Sequence, residues 1–279
     1  MPDVALGSGS LRRSSFRYCF LHMQARQQAA MAALHGLLQE ADRLADDPGD
    51  PERKDARIAA FDGFEAYVRD QFRRPAGSAP EFIALTDAGV RWDTLEPAFA
   101  AMRRDLEEPA RLGTVEELDA YCDAVAGAPG RAILQIAGCP PALIDPLARE
   151  LGRAVQKTNI LRDLEADARD GRRYLPEPLA SPADIARSCR TGTCLTDLPA
   201  VAAVAAQAER HYANALAAVE AGPATVRVLV GNVAIAYRTI LAALASRSYA
   251  TGSIGRVTKV RIAARIVARS LLARVLARG

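Results

Sequence analysis

With 279 residues, half of them hydrophobic and only 5% aromatic, the chain can bury the core of one large domain or two small ones. Its formal net charge of +3 hides an asymmetry: ten Lys and Arg but no Asp or Glu follow Glu220, and the first 220 residues carry a net charge of −7. Five scattered cysteines, Cys19, Cys122, Cys139, Cys189 and Cys194, exclude a disulfide framework, and no second Cys or His pair stands near the last two to complete a zinc site. Plain thiols in a reducing cytoplasm are the expectation.

Residues 1–14 are polar, rich in Gly and Ser and without an apolar run, so a disordered arm is expected there and not a secretory signal. From Ser15 to about Asp46 the chain is helix-compatible, until Asp47, Pro48, Gly49, Asp50 and Pro51 break it. Helical pattern resumes over about 51–72, with Pro51 at a first-turn position, and a Pro/Gly/Ser loop fills 73–80. Helices are then expected at about 80–89, 91–107, 114–127, 129–137, 140–168 and 197–221. Thr114 and Glu117 have capping-box spacing. Gly171 and Pro176 close the 140–168 segment, and 177–196 is irregular. An apolar stretch, 222–247, is followed by Gly252, Gly255 and a basic segment to Gly279. No unbroken run of about 18 apolar residues is found, so no membrane span is expected. Ala, Leu and Arg dominate, strand-like alternation is missing, and a single all-α bundle follows.

Two polar constellations stand out. Gln156, Asn159, Asp163 and Asp167 are spaced three, four and four apart, which puts all four within roughly 80° of one helix face. Spacing alone leaves a solvated face and a functional stripe equally open. Asp42 and Asp46 are a second i, i+4 pair, with His35 and Gln39 on the same arc. An exposed acidic helix end is the plain reading, yet acids at a C-terminus oppose the helix dipole. Two such pairs on facing helices can hold Mg²⁺ bridged to a diphosphate, because Mg²⁺ takes few carboxylates and keeps phosphate or water oxygens. A di-iron bundle would need Glu-x-x-His motifs, and none is present among His22, His35 and His211.

At these residues the sequence resembles the squalene/phytoene synthase family, the head-to-head prenyl synthases. Gln156–Pro176, QKTNILRDLEADARDGRRYLP, is similar to the family's second aspartate motif. Tyr121-Cys122 with Val125-Ala126-Gly127 and Gly130 resembles a Y-C-x-x-V-A-G-x-x-G block. Ser15-Phe16 and the helix to Asp47 resemble the N-terminal block that ends in D-x-x-x-D, and Tyr237-Arg238 a further block. The likeness covers about residues 15–250, and within the family it is greatest to the bacterial presqualene-diphosphate branch of hopanoid pathways.

The resemblance implies a single-domain isoprenoid-synthase-type helical bundle with a central cavity for two prenyl diphosphates, farnesyl diphosphate first among them. One loses diphosphate to Mg²⁺, and the other's double bond attacks the allyl cation to form a cyclopropylcarbinyl diphosphate. Carried over by position, Asp42, Asp46, Asp163 and Asp167 are the metal-binding set. Ser15, Phe16, His35, Gln39, Gln156 and Asn159 line the substrate site, and Tyr121, Tyr237 and Arg162 form the catalytic set. Taken singly, His35 is an ordinary polar helix residue and Tyr121 an ordinary core tyrosine. Four positions depart from the family pattern: His35 replaces a Tyr, Gln39 an Arg, Arg43 an acid and Ala166 a Glu. They leave two alternatives open, a phytoene-type enzyme acting on geranylgeranyl diphosphate and a non-catalytic relative serving as a partner protein.

Residues 251–279 form a basic amphipathic segment. Arg261, Arg265 and Arg269 recur every four residues, as do Arg274 and Arg278, opposite Ile262, Ile266, Val267, Leu271, Leu272 and Val275. It is compatible with peripheral contact at the inner face of the cytoplasmic membrane, and equally with a packed helix that has a solvated Arg face. Nucleic acid is not expected, since no binding motif accompanies the charge. No dinucleotide fingerprint is present, so NADPH is not expected.

Overall fold

The computed structural model describes residues 15–46, 54–74, 77–169, 171–176, 199–246 and 256–276; the expected arm at 1–14 and the irregular 177–196 lie outside them. A 3₁₀ turn, Ser15–Phe20, opens the fold. Ten α-helices follow among the described residues: α1 Ala25–Asp46, α2 Lys54–Arg73, α3 Pro80–Asp87, α4 Trp92–Glu107, α5 Val115–Cys122, α6 Ala128–Ile136, α7 Pro141–Arg169, α8 Pro199–Ala218, α9 Ala224–Ala245 and α10 Arg256–Leu276. The described residues contain no β-strand, only an isolated bridge between Arg111 and Arg173.

Local chemistry sets most boundaries. The Thr114–Glu117 capping box forms in both directions and starts α5. Prolines stand at first-turn positions of α3 and α6. Gly171, at φ +75°, ends α7 in the left-handed turn that a side chain would strain, and the Arg172 N–H bonds back to Asp167 O at 2.8 Å. The expected continuous helix from Ser15 is divided by a turn at Leu21–Gln24. His22 Nε2 meets Thr225 O at 3.0 Å, and Gln27 Oε1 accepts from the Gln24 N–H at 3.1 Å, so side chains replace the helical bonds that the turn gives up.

The larger apolar cluster joins Cys19, Phe20 and α1 to α2, α3, α4 and α6, through residues such as Leu34, Phe61, Phe82 and Phe99. The second lies between α5, α7, α8 and α9, around Leu118, Leu161, Val204 and Tyr212. Tyr237, Leu151 and Val155 pack against both and make one continuous interior. Contrary to the sequence expectation, one helix, α9, is long and apolar enough to cross a membrane, with mean hydropathy 1.8. In the fold it buries Val226, Leu229, Val230, Val233, Leu241 and Leu244 and packs on α7, α8 and α10. The apolar stripe of α10 is also used internally: Ile262 and Ile266 join the larger cluster, and Ser270 is buried.

Between α5 and α6 the chain runs as a π-helical segment, Asp123–Gly127, where the sequence pattern predicts unbroken α-helix. This segment rests on α7 with almost nothing between the backbones. A Cβ on Gly152 would stand 2.8 Å from Gly127 Cα, and one on Gly130 would meet Ala148 at 3.7 Å. Gly152→Ala is therefore expected to destabilise the protein by about 1–3 kcal/mol, as overpacking against backbone does. Gly63→Ala, at an exposed helical position with open space around its Cβ, should be neutral or stabilising by up to about 1 kcal/mol. Denaturant midpoints for the two variants test the contrast.

Candidate active site

A cleft of about 370 Å³ opens beside α1. One face of α1 supplies Met31, Leu34, His35, Leu38, Gln39 and Asp42, in the i, i+3, i+4 rhythm of a helix stripe. Opposite it stand Phe20 of the 3₁₀ turn, Met102 of α4, Val125 of the π-segment, and Pro129 and Ile133 of α6. The α1 stripe changes character along its length, from Met31 and Leu34 to Gln39 and Asp42. The structure thus brings His35, Gln39 and Asp42 together. Ser15 and Phe16 open the adjoining turn and Asp46 ends α1, but their side chains lie outside the described residues.

Burial lowers the His35 pKa below the ordinary imidazole value, so the ring is neutral near pH 7. Arg43, which stands where the family pattern has an acid, pairs with Glu40 through Nη2–Oε1 at 2.6 Å and Nε–Oε2 at 2.9 Å. It is largely exposed and is not among the side chains lining the cleft.

The second constellation lies on α7, which packs on α6 and the π-segment, the same elements that wall the cleft. Asn159 Nδ2 reaches Gln156 Oε1 at a long 3.4 Å, while the buried Asn159 Oδ1 has no protein partner. One turn on, Arg162 grips the Asp163 carboxylate with Nε at 2.8 Å and Nη2 at 2.5 Å. That hydrogen bond raises the Arg162 pKa further, and the nearby Tyr237 and Asp167 act in the same direction. Tyr237 sits near Arg162, Cys19 and Asp163, and burial pushes its phenol upward. It therefore bridges the α7 motif to the turn that carries Phe20.

Tyr121 joins the group from α5. Its hydroxyl donates to Asp105 Oδ2 at 3.0 Å and lies 3.2 Å from the Tyr174 hydroxyl, with ring centroids 4.9 Å apart. Burial, with Tyr174 and Asp105 beside it, drives its pKa far up, so the phenol keeps its proton. Burial likewise raises Tyr174, to about 12. The Gly171 turn explains the meeting: it sends the chain back along Ala110–Leu112, where the Arg173 N–H bonds Ala110 O at 2.7 Å, and Tyr174 lands on Tyr121. Asp105 and Tyr174 were not singled out in the sequence. Tyr174 stood inside the recognised motif, whereas nothing local marks Asp105.

The other side of α7 is a buried ionic seam. Lys157, fully buried, donates to Asp119 Oδ1 at 2.5 Å and Gln207 Oε1 at 2.7 Å. Arg153 bonds Asp119 at 2.7 Å and Asp123 at 2.7 and 2.8 Å. The Thr158 hydroxyl donates to Ala154 O and meets Tyr212 OH, both at 2.8 Å. The long motif is thus two faces of one helix. Lys157, Thr158 and Leu161 seat it, while Gln156, Asn159 and Asp163 lie half-buried on its other side and are not among the side chains lining the cleft.

Among the described residues, no three His, Cys, Asp or Glu side chains converge tightly enough to hold a metal by themselves. The donors present are hard oxygens, namely the Asp42 and Asp163 carboxylates and the unpartnered Asn159 carbonyl. That set fits Mg²⁺ sharing a phosphate ligand, and does not fit zinc.

An all-α bundle with an amphiphilic cleft and acids on two of its helices defines an isoprenoid-synthase-type fold. The squalene/phytoene synthase family model matches residues 11–263. A presqualene diphosphate synthase of Rhodopseudomonas palustris is 30% identical over 273 residues, 94% of this chain and 95% of that one. One of Zymomonas mobilis is 34% identical over 224 residues, 76% and 73% of the two chains. A dehydrosqualene synthase crystal structure, 22% identical, superposes with a TM-score of 0.73 over 95% of each chain, and so shares the fold. The chain belongs to the squalene/phytoene synthase family and is a prenyltransferase of that type.

The ionic seam behind the site can be tested directly. Asp119→Ala leaves Lys157 buried without its carboxylate and is expected to cost about 3–5 kcal/mol. Adding Lys157→Met removes the stranded charge and should recover most of that loss. Urea unfolding of the two single variants and the double variant gives the coupling, and additive losses would show that the pair is energetically unimportant.

Proposed function

We propose that this protein condenses two farnesyl diphosphates head to head into presqualene diphosphate, with Mg²⁺ as its metal. The observation that carries the reading is the gradient along the α1 wall of the cleft, apolar at Met31 and polar at Asp42. A prenyl diphosphate has the same gradient, an apolar tail and an anionic head. From Met31 to Asp42 the helix rises roughly 16 Å, about the reach of an extended fifteen-carbon chain and short of a twenty-carbon one. This length favours farnesyl over geranylgeranyl diphosphate.

Asp42 and Asp46 on α1, with Asp163 and Asp167 on α7, would hold the metal, and Asn159 would add its carbonyl. When bound, Mg²⁺ acts as a Lewis acid on the departing diphosphate. The remaining work falls to the chain. Arg162, fixed by Asp163, sets a permanent positive charge beside the acids. Gln156 and Gln39 offer neutral hydrogen bonds to phosphate oxygens. Phe20, Leu34, Leu38, Met102 and Ile133 hold the tail and keep water from the carbocation. Tyr121 and Tyr237 retain their protons and would act as neutral hydroxyls. The pairing of Arg43 with Glu40 weakens one motive for a non-catalytic reading, because its charge is matched by a carboxylate outside the cleft lining.

The experiment is turnover of farnesyl and geranylgeranyl diphosphate with Mg²⁺, followed by mass spectrometry of the product. A thirty-carbon cyclopropyl diphosphate is expected from farnesyl diphosphate, with geranylgeranyl diphosphate a poorer substrate. Chelator should abolish turnover, and Asp42→Ala or Asp163→Ala should lower it by about a hundredfold or more, in keeping with the several kcal/mol a Lewis acid supplies. Preference for the twenty-carbon diphosphate would select the phytoene-type reading instead.

We further propose peripheral contact with anionic membranes through α10. Ile262 and Ile266 of its apolar stripe are spent on the core, and Lys259, Val260, Arg265 and Arg269 are exposed. Attraction should therefore be electrostatic, about 1 kcal/mol per basic residue at the surface. Sedimentation with phosphatidylserine vesicles should weaken with salt and with Lys259→Glu/Arg265→Glu, and be undetectable with neutral vesicles. Equal binding to neutral vesicles would contradict the electrostatic account.

A further inference from the structure

Head-to-head joining releases a proton as well as a diphosphate. After the allylic carbon of the first molecule bonds to the double bond of the second, a tertiary cation remains. The ring closes when a C–H bond on that former carbinyl carbon breaks. Its electron pair forms the third side of the cyclopropane and quenches the cation, and the hydrogen leaves as H⁺. A base must take it. We propose that His35 is this general base, accepting the proton on a ring nitrogen and passing it to solvent when product leaves. The proposal rests on the head-to-head reading above.

The placement is specific. His35 lines the cleft two helical turns, roughly 10 Å, below Asp42 on the same face. A substrate whose diphosphate lies at the Asp42 end therefore has its first carbons on the way down to His35. The walls across from it, Phe20, Met102, Val125, Pro129 and Ile133, carry no titratable group, and among the described residues Asp42 is the other ionisable side chain lining the cleft. The other two histidines lie outside the cleft lining, His22 at 3.0 Å from Thr225 O and His211 at 2.8 Å from Glu150.

Chemistry narrows the choice further. Tyr121 and Tyr237 have phenols that burial holds protonated, so neither accepts a proton near pH 7. His35 is shifted the opposite way: burial favours the neutral ring, whose one unprotonated nitrogen is an acceptor. The base form is thus present above the depressed pKa and is lost as pH falls through it. In the family pattern a tyrosine occupies this position, so the imidazole is a property of this chain.

Partitioning of the reaction provides the test. Full-length enzyme with Mg²⁺ and farnesyl diphosphate is assayed for diphosphate released and for cyclopropyl product formed. In His35→Ala, and in the volume-filling His35→Phe, the readout is cyclopropyl product formed per diphosphate released. Cyclopropyl product should fall by about 10²–10⁴-fold, the usual contribution of a positioned base. The lost product should reappear as water-captured alcohols. Added imidazole should restore ring closure in His35→Ala and not in His35→Phe. The acid limb of the product–pH profile should disappear in both variants. An unchanged ratio of product to diphosphate in both variants overturns the assignment. So does a parallel loss of both products without imidazole rescue, which would mark His35 as structural. If wild type itself makes no cyclopropyl product, the head-to-head reading fails, and this assignment falls with it for that separate reason.

Discussion

Backbone contact between α7 and the π-helical segment is the constraint on which the rest of this structure depends. Gly152 approaches Gly127 so closely that it could not carry a side chain without displacing main chain, whereas a Cβ on Gly127 would meet nothing nearer than 3.8 Å. The contact sets α7 directly behind the wall that Val125, Pro129 and Ile133 present to the cleft. It also explains why the wall is π-helical. A wider turn pushes the backbone outward by one residue, and such insertions concentrate at functional sites because they re-aim nearby side chains. Here Tyr121 precedes the wide turn and Val125 lies within it. Tyr121 is aimed at Asp105 and Tyr174 while Val125 faces the cleft.

Once seated, α7 has to keep its rotation about its own axis, because a slip of one residue would carry Asn159 and Asp163 about 100° away. Leucines alone are poor at fixing rotation, since apolar contacts are non-directional. The seam on the back of the helix is directional. Lys157 and Arg153 share Asp119, Arg153 also holds Asp123, and Thr158 is tied to Tyr212. The cost of desolvating these charges is large, so the pair adds little net stability. What it provides is a single register, and the register keeps Asn159 and Asp163 on the side of α7 away from the seam.

Much of this was legible in sequence, for identifiable reasons. Helix positions followed from Pro and Gly breakers and from the Thr114 box, all local signals. The 156–176 motif was legible because its polar residues repeat at helical spacing. The π-segment was not, because 114–127 has an unbroken helical pattern and the wide turn is imposed by α7, which is distant in sequence. The burial of Lys157 was hidden similarly: its partners Asp119 and Gln207 lie 38 and 50 residues away. Arg43 could have been resolved earlier, since Glu40 stands three residues before it at ordinary pairing distance. The 222–247 stretch was underestimated because Asn232 and Arg238 interrupt its apolar run; as a helix it is apolar enough to span a bilayer, yet it is spent on the core.

The departures on α1 form a pattern when placed in the cleft. Relatives with Arg at position 39 set a cation on this helix, whereas here the stripe holds Gln39 and a neutral His35 above apolar residues. A positive side chain is instead found on α7, where Arg162 holds Asp163. In the proposed reaction, charge for binding the head groups would come from the α7 side and a bound metal, while α1 would contribute depth, neutral hydrogen bonds and the proposed proton acceptor. A guanidinium one turn from His35 would oppose protonation of the imidazole, because like charges in a poorly solvated site disfavour one another. Gln39 removes that repulsion. The loss of the usual Arg and the appearance of His where a Tyr is usual are thus mutually consistent, since a base that must become a cation is better placed on a helix face without another cation beside it.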